Sequence, residues 1–433
     1  MNVVNPQDVH TLMTQDQALS VLKTGANVFL TGEPGSGKTH TINKYVAYLR
    51  ERGIEPAITA STGIAATHIG GMTIHSWSGI GIKTALDKRD LDKIVSNKRI
   101  AVRMRNTKVL IIDEISMLAP ETLSMVEIAC KNIKSSNELF GGMQVVLVGD
   151  FFQLPPIIKP AYEDNGQFEF DEMPKARFAY DSSVWARLNP SVCYITEQYR
   201  QDDDSFLSIL SAIRCGSFGE DHLSQIEKRM VGYHALSKNI TKLFSHNADV
   251  DRVNNEMLAE ISGESKIFAM TNLGPDILVS ALKKGCLSPE TLHLKAGAVV
   301  IFTKNNPNKG FVNGTLGVIV KFDEITGCPV VKIRNGKIIE VELMDWTIQE
   351  NGEVHARITQ LPLRLAWAIT VHKSQGMSLD EAVMDLSRVF EFGQGYVALS
   401  RVRRLSGVHL LGYKDLDINY LIYSLMEEIN KNK

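Results

Sequence analysis

Residues 32 to 39 read Gly-Glu-Pro-Gly-Ser-Gly-Lys-Thr, with every fixed position of G-x-x-x-x-G-K-[ST] filled. Such a run can cradle a polyphosphate. Gly32, Gly35, Ser36 and Gly37 would turn backbone N–H groups onto the phosphate oxygens, and Lys38 would add a point charge near the β and γ oxygens. Thr39 offers a hydroxyl to Mg²⁺, and His40 next to it is counted with the nucleotide-binding residues. The apolar NVFLT before the run reads as a strand. KTHTINKYVAYLRER after it has apolar residues at helical spacing, so the loop opens a helix whose N-terminal dipole favours anions.

A second chemical element is KVLIIDEISM at 108 to 117, a buried strand that ends in two adjacent acids. In a parallel sheet, ligands gather beyond the carboxyl ends of the strands. There Asp113 can hold Mg²⁺ and Glu114 can polarise an attacking water. A third strand, QVVLVGD, ends at Asp150 and runs into FFQLPP. That places Gln153 where a side-chain amide could sense a γ-phosphate.

These strand ends need a sheet to hold them. Over the first 190 residues, short apolar runs at 27 to 31, 56 to 60, 108 to 112, 144 to 149 and 192 to 195 alternate with helical stretches. That is the pattern of a mostly parallel sheet covered on both faces. A second α/β pattern begins near 191, with a strand expected at 241 to 244 and a helix from Asn247 onward. From about 293 to 362 the texture changes to short β runs (AVVIF, TLGVIV, VVKI, IIEVELM) punctuated by Asn-Gly at 313 to 314 and 335 to 336, a small antiparallel and barrel-like module. The α/β pattern resumes at LRLAWAIT and ends in a helix expected from about 415. The β module is therefore an insertion in the second domain.

Bulk properties narrow the class. At 433 residues the chain exceeds what one core usually covers. The five cysteines (Cys130, Cys193, Cys215, Cys286, Cys328) are scattered without a C-x-x-C pair, which argues against disulfides or a zinc site. With no apolar run long enough to span a bilayer and no leader, a soluble cytoplasmic or nucleoid-associated protein is expected. Net charge is only −2, but nine basic residues against three acidic ones lie between Lys83 and Lys108. Such a stretch could line a phosphate track or be a solvated face.

The ordered series Gln17, GEPGSGKT, ASTGIAA at 60 to 66, TIHS at 73 to 76, DEISM, GDFFQLPP, EQYR at 197 to 200, TVHKSQGMSLD at 370 to 380 and YVALSRVRR at 396 to 404 resembles a superfamily-1 helicase. Within that superfamily the chain is similar to the petite-integration-frequency (PIF) helicases of the RecD-like subclass. The discriminating stretch is SMLAPETLSMVEIACKNIKSSNELFGG, from Ser116 to Gly142. The motifs run over nearly the whole chain, which starts almost at the motor, so the long N-terminal extension of larger relatives is expected to be absent.

The resemblance implies two RecA-like P-loop motor domains, at 1 to 190 and at 191 to 292 with 363 to 433. It also implies a small wedge at about 64 to 80 and a Src-homology-3-type barrel at 293 to 362. By similarity, Gln17 reads the adenine edge, Lys38 the β/γ-phosphates, Thr39 and Asp113 the metal, and Glu114 the water. Arg200 and Arg401 match arginine fingers, planar cations that stabilise charge on the transferring phosphoryl. Thr62, His75, His372 and Lys373 fall on the single-stranded DNA phosphate track, with donors suited to backbone rather than base contacts. Trp77 and Phe152 are candidates for base stacking, or for core.

The resulting expectation is an ATP- and Mg²⁺-dependent DNA helicase, a monomeric motor acting at junctions of single strand and duplex, or on quadruplexes, in replication, recombination or repair. It would move 5′ to 3′. The alternative is a DNA-dependent P-loop ATPase that remodels DNA without processive unwinding. A small-molecule kinase would need one α/β domain with a lid, and the second set of motifs after residue 190 speaks against it.

Overall fold

The computed structural model describes residues 12–81, 83–156, 178–199, 203–232, 240–244, 247–306, 308–350, 353–386 and 393–413. Contacts divide the chain into two compact units. The first is built chiefly from residues up to Thr62 and from Gly71–Gln198, and the second from Gly63–Gly70 and most of the chain after Tyr199.

In chain order the first unit runs β1 (Leu12–Met13), α1 (Gln15–Lys23), β2 (Val28–Gly32), α2 (Lys38–Arg50) and β3 (Ala57–Ala60). After α3 (Gly63–His68), which groups with the second unit, come β4 (Met72–Thr73), α4 (Ile74–Ser78), α5 (Lys88–Ser96), α6 (Lys98–Asn106) and β5 (Val109–Asp113). The unit closes with α7 (Pro120–Lys134), β6 (Gln144–Val148), α8 (Ser183–Leu188) and β7 (Ser191–Ile195). The strands form one parallel sheet in the order β1-β7-β2-β6-β5-β3-β4. All five apolar runs expected in this region are strands of it.

Why those runs are apolar throughout follows from where alternate residues point. Val28, Leu30, Val109, Ile111, Val146 and Val148 pack with Ala18, Leu22, Ile42, Tyr45, Val46 and Leu49 of α1 and α2 on one face. Their neighbours Phe29, Leu110, Ile112, Val145 and Leu147 join α4, α6, α7 and α8 on the other. A strand buried on both faces has no polar side to show. The segment from Ser116 to Gly142 contributes α7, which starts with Pro120 in its first turn and buries Leu123, Val126, Ala129, Cys130 and Ile133 in the second of these cores.

The second unit contains α9 (Asp204–Cys215), α10 (Glu220–Glu227), β8 (Lys242–Phe244), α11 (Asn247–Glu260), β9 (Lys266–Ala269), β10 (Thr271–Leu273) and α12 (Asp276–Gly285). Then come β11 (Thr291–Leu294), β12 (Val299–Phe302), β13 (Leu316–Phe322), β14 (Pro329–Ile333), β15 (Ile338–Glu340), β16 (Met344–Glu350), β17 (Glu353–Gln360) and β18 (Leu363–Leu365). It ends with β19 (Ala368–Thr370), α13 (Val371–Ser374), β20 (Ala382–Leu386), α14 (Gln394–Ser400) and β21 (Val408–Tyr413). β19-β8-β20-β21 is a parallel sheet, and between β8 and β19 the chain inserts antiparallel strands. Of these, β12, β13, β14, β15 and β18 form a five-stranded sheet in the order β15-β14-β13-β12-β18, and the rest form the smaller sheets β10-β17-β16 and β11-β9.

Both Asn-Gly pairs mark hairpins. Gly314 between β12 and β13 and Gly336 between β14 and β15 have φ of +94° and +87°, which glycine adopts without strain. The run IIEVELM is split between β15 and β16 rather than forming one strand. Strands of the insert begin at Lys266 and end at Leu365, wider than the 293 to 362 read from texture, because β9 to β11 are too short to change the local composition. Residues 64 to 80, read as a single wedge, are divided. α3 packs against α12, with Gly63 close enough to Gly285 that a Cβ would come within 3.0 Å of its Cα, while β4 is the edge strand of the first sheet and α4 joins the core beneath it. The expected helix from 415 lies outside the described residues. No helix among the described residues is long and apolar enough to cross a membrane.

Candidate ATP and DNA site

The phosphate loop links β2 to α2. Gly32 has a φ of +147°, and a Cβ there would meet the Ile195 carbonyl at 2.6 Å, so the loop's first position admits only glycine. α2 begins at Lys38, so the N–H groups of its first turn, which have no partner within the helix, lie at the loop. Lys38 Nζ donates to the carbonyls of Gly32 (2.8 Å) and Glu33 (3.0 Å), folded back along the loop. Thr39 and His40 are exposed on the first turn of α2.

The two acids sit at the end of β5, two strands from β2 across β6. Asp113 is half-buried, and its surroundings desolvate the carboxyl enough to push it up to about 6. The Glu114 N–H, 2.8 Å from Asp113 Oδ1, and the charge of Lys38 pull the other way. Glu114 occupies the left-handed region at φ +51°, uncommon for a residue with a Cβ and typical of functional turns. Ser61, at the end of β3, fixes this turn: its N–H donates to the Asp113 carbonyl (3.1 Å) and its Oγ to the Glu114 carbonyl (2.7 Å). Gln153 is buried beyond β6, and its Nε2 donates to Asp150 Oδ2 at 3.2 Å. Thus Lys38, Asp113, Glu114 and Gln153 stand at the carboxyl ends of three adjacent strands.

Two glutamines near the loop sit in different environments, which the motif reading did not separate. Gln17 is exposed and completes a capping box with Thr14, its Oε1 accepting from the Thr14 N–H at 2.8 Å. Gln15 is the buried one, and its Nε2 donates to the Ser36 carbonyl at 3.1 Å. Its own N–H donates to Glu197 Oε2 (2.7 Å), while Gln198 Nε2 donates to Glu33 Oε2 (2.8 Å). Helical spacing carried the missed signal. Counting back from Leu22 and Ala18 puts Gln15 on the buried face of α1.

The remaining site expectations fare unevenly. Arg200 lies outside the described residues. Arg401 is 1% exposed, with Nε donating to the Val397 carbonyl (2.9 Å) and Nη2 to Ser400 Oγ (2.8 Å), so here the guanidinium is packed on its own helix. Trp77 is 2% exposed within the core that covers α7, which corrects the base-stacking reading: its ring has no accessible face. Phe152 is half-buried, and the neighbouring Phe151 is the one that packs on Phe29 and Trp185.

Thr62 and His75 are half-buried, and burial lowers the His75 pKa. In the second unit His372 and Lys373 lie on α13, where Thr370 Oγ1 caps the Lys373 N–H at 3.2 Å. Burial first, and the neighbouring Arg364 second, lower the Lys373 pKa, while Asp251 opposes them. In the basic stretch Arg103 is structural, its Nη2 donating to the Ser76 (3.0 Å) and Trp77 (2.6 Å) carbonyls.

No group of three or more His, Cys, Asp or Glu that could hold a metal occurs among the described residues. One carboxylate with one hydroxyl suits Mg²⁺, which keeps waters and takes phosphate oxygens rather than an all-protein cage.

Comparison with known proteins bears on the family. The chain matches the family PIF1-like helicase over residues 10–220 and the DNA helicase Pif1 2B domain over residues 278–322. It is 40% identical to the ATP-dependent DNA helicase Pif1 of Psychrobacter sp. (strain PRwf-1) across 94% of this chain and 69% of that protein. It is 35% identical to the ATP-dependent DNA helicase PIF1 of Homo sapiens across 94% of this chain, spanning 62% of that longer protein. Among solved structures, that of Bacteroides sp Pif1 in complex with ADP-AlF4 superposes with a TM-score of 0.78 at 27% identity, covering 96% of each chain. Bacteroides Pif1 bound to ssDNA gives 0.63 at 27% identity, over 99% of this chain and 97% of that one. With the motifs, both folds and the 2B segment in agreement, the chain belongs to the PIF1-like helicases.

Proposed function

We propose that this chain binds ATP at the loop between β2 and α2, hydrolyses it, and uses the cycle to move 5′ to 3′ along single-stranded DNA, separating duplex ahead of it. ATP-dependent DNA helicase activity comes with the family. The direction and the residue roles are our reading. The observation that carries it is the convergence of Lys38, Asp113, Glu114 and Gln153 at the carboxyl ends of β2, β5 and β6, neighbours in one sheet. Lys38 would leave the loop carbonyls for the β/γ-phosphates, and Thr39 with Asp113 would hold Mg²⁺, which neutralises charge on the phosphates when bound. Glu114 would accept the attacking water's proton, Gln153 would sense the γ-phosphate, and Gln17 would read the base. Arg200 and Arg401 would complete the site as fingers.

Thr62, His75, His372 and Lys373 would hold backbone phosphates, with Phe152 left as the stacking candidate. We read each parallel sheet as a RecA-like motor domain, the sheet from β12 to β18 as the Src-homology-3-type module, and part of residues 64 to 80 as the wedge. The related Pif1 bound to ssDNA supports a single-stranded track.

The test is steady-state ATP hydrolysis with and without single-stranded oligonucleotide. Strong stimulation by DNA, lost in Lys38→Ala, is expected; hydrolysis indifferent to DNA would sink the coupling of site and track.

A further inference from the structure

We propose that Gln15 is a positioning residue of the ATP site: its buried amide holds the Ser36 carbonyl, and so sets the direction of the next N–H in the phosphate loop. The inference rests on the reading of that loop as the ATP site.

Gln15 opens α1, yet its polar side chain is only 6% exposed. Its Nε2 donates to the Ser36 carbonyl at 3.1 Å. The same amide lies against the loop so closely that a Cβ on Gly37 would meet Nε2 at 2.1 Å. Gly37 is also at φ +84°, a backbone conformation that favours glycine, and any Cβ there would have to push the Gln15 amide aside.

A trans peptide is planar, with its C=O and N–H pointing in opposite directions. Anchoring the Ser36 carbonyl on Gln15 therefore turns the Gly37 N–H to the side away from α1. That N–H immediately precedes Lys38, where the loop passes into α2, so its direction decides whether it can meet a phosphate oxygen. Without Gln15 the buried carbonyl has lost its partner, and the Ser36–Gly37 peptide can rotate to find another.

Gln15 is itself held. Its main-chain N–H, one of the helix donors with no partner inside α1, goes to Glu197 Oε2 at 2.7 Å. The next residue, Gln198, donates to Glu33 Oε2 at 2.8 Å. The segment that follows β7 thus fastens the loop near its start directly, and near its end through Gln15.

This role is separable from base recognition. The Gln15 side-chain amide donates to the loop backbone, so its loss should weaken every ligand that uses the loop's N–H groups, whatever base it carries. Gln17 is exposed, outside that contact, and assigned to the base.

The test compares Gln15→Met, which keeps side-chain volume but has no donor, with Gln15→Glu, which sets a carboxylate against a carbonyl. Thermal melts of both check folding, and Gln15→Met keeps the question answerable if Gln15→Glu does not fold. Steady-state hydrolysis of ATP and GTP is measured, with tripolyphosphate as competitive inhibitor. Expected for Gln15→Met is a rise in KM of about tenfold, the worth of one buried hydrogen bond. The rise should be the same for ATP and GTP, with a matching rise in the inhibition constant of tripolyphosphate and kcat within about twofold of the parent. Gln15→Glu should be worse. An unchanged KM, a change confined to one nucleotide, or a fall in kcat at constant KM would overturn the inference. Lys38→Ala in the same assay separates the two readings, because retained hydrolysis there would remove the ATP site itself.

Discussion

Lys38 Nζ donates to the Gly32 and Glu33 carbonyls, and Lys38 is not among the buried core residues. Lys38→Ala should therefore leave the melting temperature nearly unchanged while abolishing hydrolysis, which a paired melt and phosphate-release assay would decide. Glu114→Gln asks a narrower question. Glu114 sits in the left-handed region with its carbonyl held by Ser61 Oγ, a backbone contact that an isosteric amide side chain leaves in place. Nucleotide binding should persist, and hydrolysis should fall by about 10² or more, the usual worth of a general base. Equal losses in both would show that Glu114 serves in binding. Arg401 is a different case, because its guanidinium is buried and bonded to Val397 and Ser400. Arg401→Ala should destabilise the second unit by about 2 to 3 kcal/mol, since it leaves a cavity and buried carbonyls unpaired. A finger role predicts in addition a loss of kcat in molecules that remain folded, with nucleotide affinity little changed. A wild-type kcat in the folded fraction would leave Arg401 a structural residue only.

At the scale of elements, Trp77 separates packing from binding. It lies in α4 with Ile74, in the core shared with α7, so Trp77→Ala should cost about 3 to 5 kcal/mol in a denaturant titration. The milder Trp77→Phe should leave affinity for single-stranded DNA unchanged. A large drop in DNA affinity for a well-folded Trp77→Phe would restore the stacking role. Why Trp77 was ambiguous in the sequence is instructive. It stands two residues after a motif histidine, and proximity to a motif says nothing about which face of a short helix is buried. Period and length did reveal β2, β5 and β6, because strands buried on both faces read as unbroken apolar runs, and the Asn-Gly pairs revealed two hairpins. The placement of Asp113 and Glu114 at a strand end, and of Lys38 at the start of the helix after the loop, was equally legible. What stayed hidden was tertiary support. Ser61, Glu197 and Gln198 act through contacts 53, 182 and 165 residues away in sequence, which no local pattern encodes. The edges of the inserted β region were hidden for a related reason: β9, β10 and β18 have three or four residues each, too few to show a period.

For the whole molecule the open question is direction, which the chemistry of the ATP site cannot supply. Two motor domains with the same site can walk either way, depending on which of them grips the strand more tightly when nucleotide binds. In our proposal direction rests on features outside the ATP-site residues. One is the segment from Ser116 to Gly142, which folds as α7 and its following turn. The other is the inserted antiparallel sheet, whose 2B-domain match covers residues 278–322. Contacts to phosphates rather than bases should make DNA binding fall steeply as salt rises, because each neutralised phosphate of a single strand releases about 0.7 counterion. The decisive experiment uses partial duplexes that differ only in the polarity of the single-stranded tail, in single turnover with excess trap strand, so that neither rebinding nor reannealing contributes. With ATP and Mg²⁺, the substrate with a 5′ tail should be unwound, and the one with only a 3′ tail or with blunt ends should not. Efficient unwinding from the 3′ tail would overturn the direction while leaving the ATP site intact. Hydrolysis stimulated by DNA with no unwinding from either tail would instead favour a motor that remodels DNA without opening it processively.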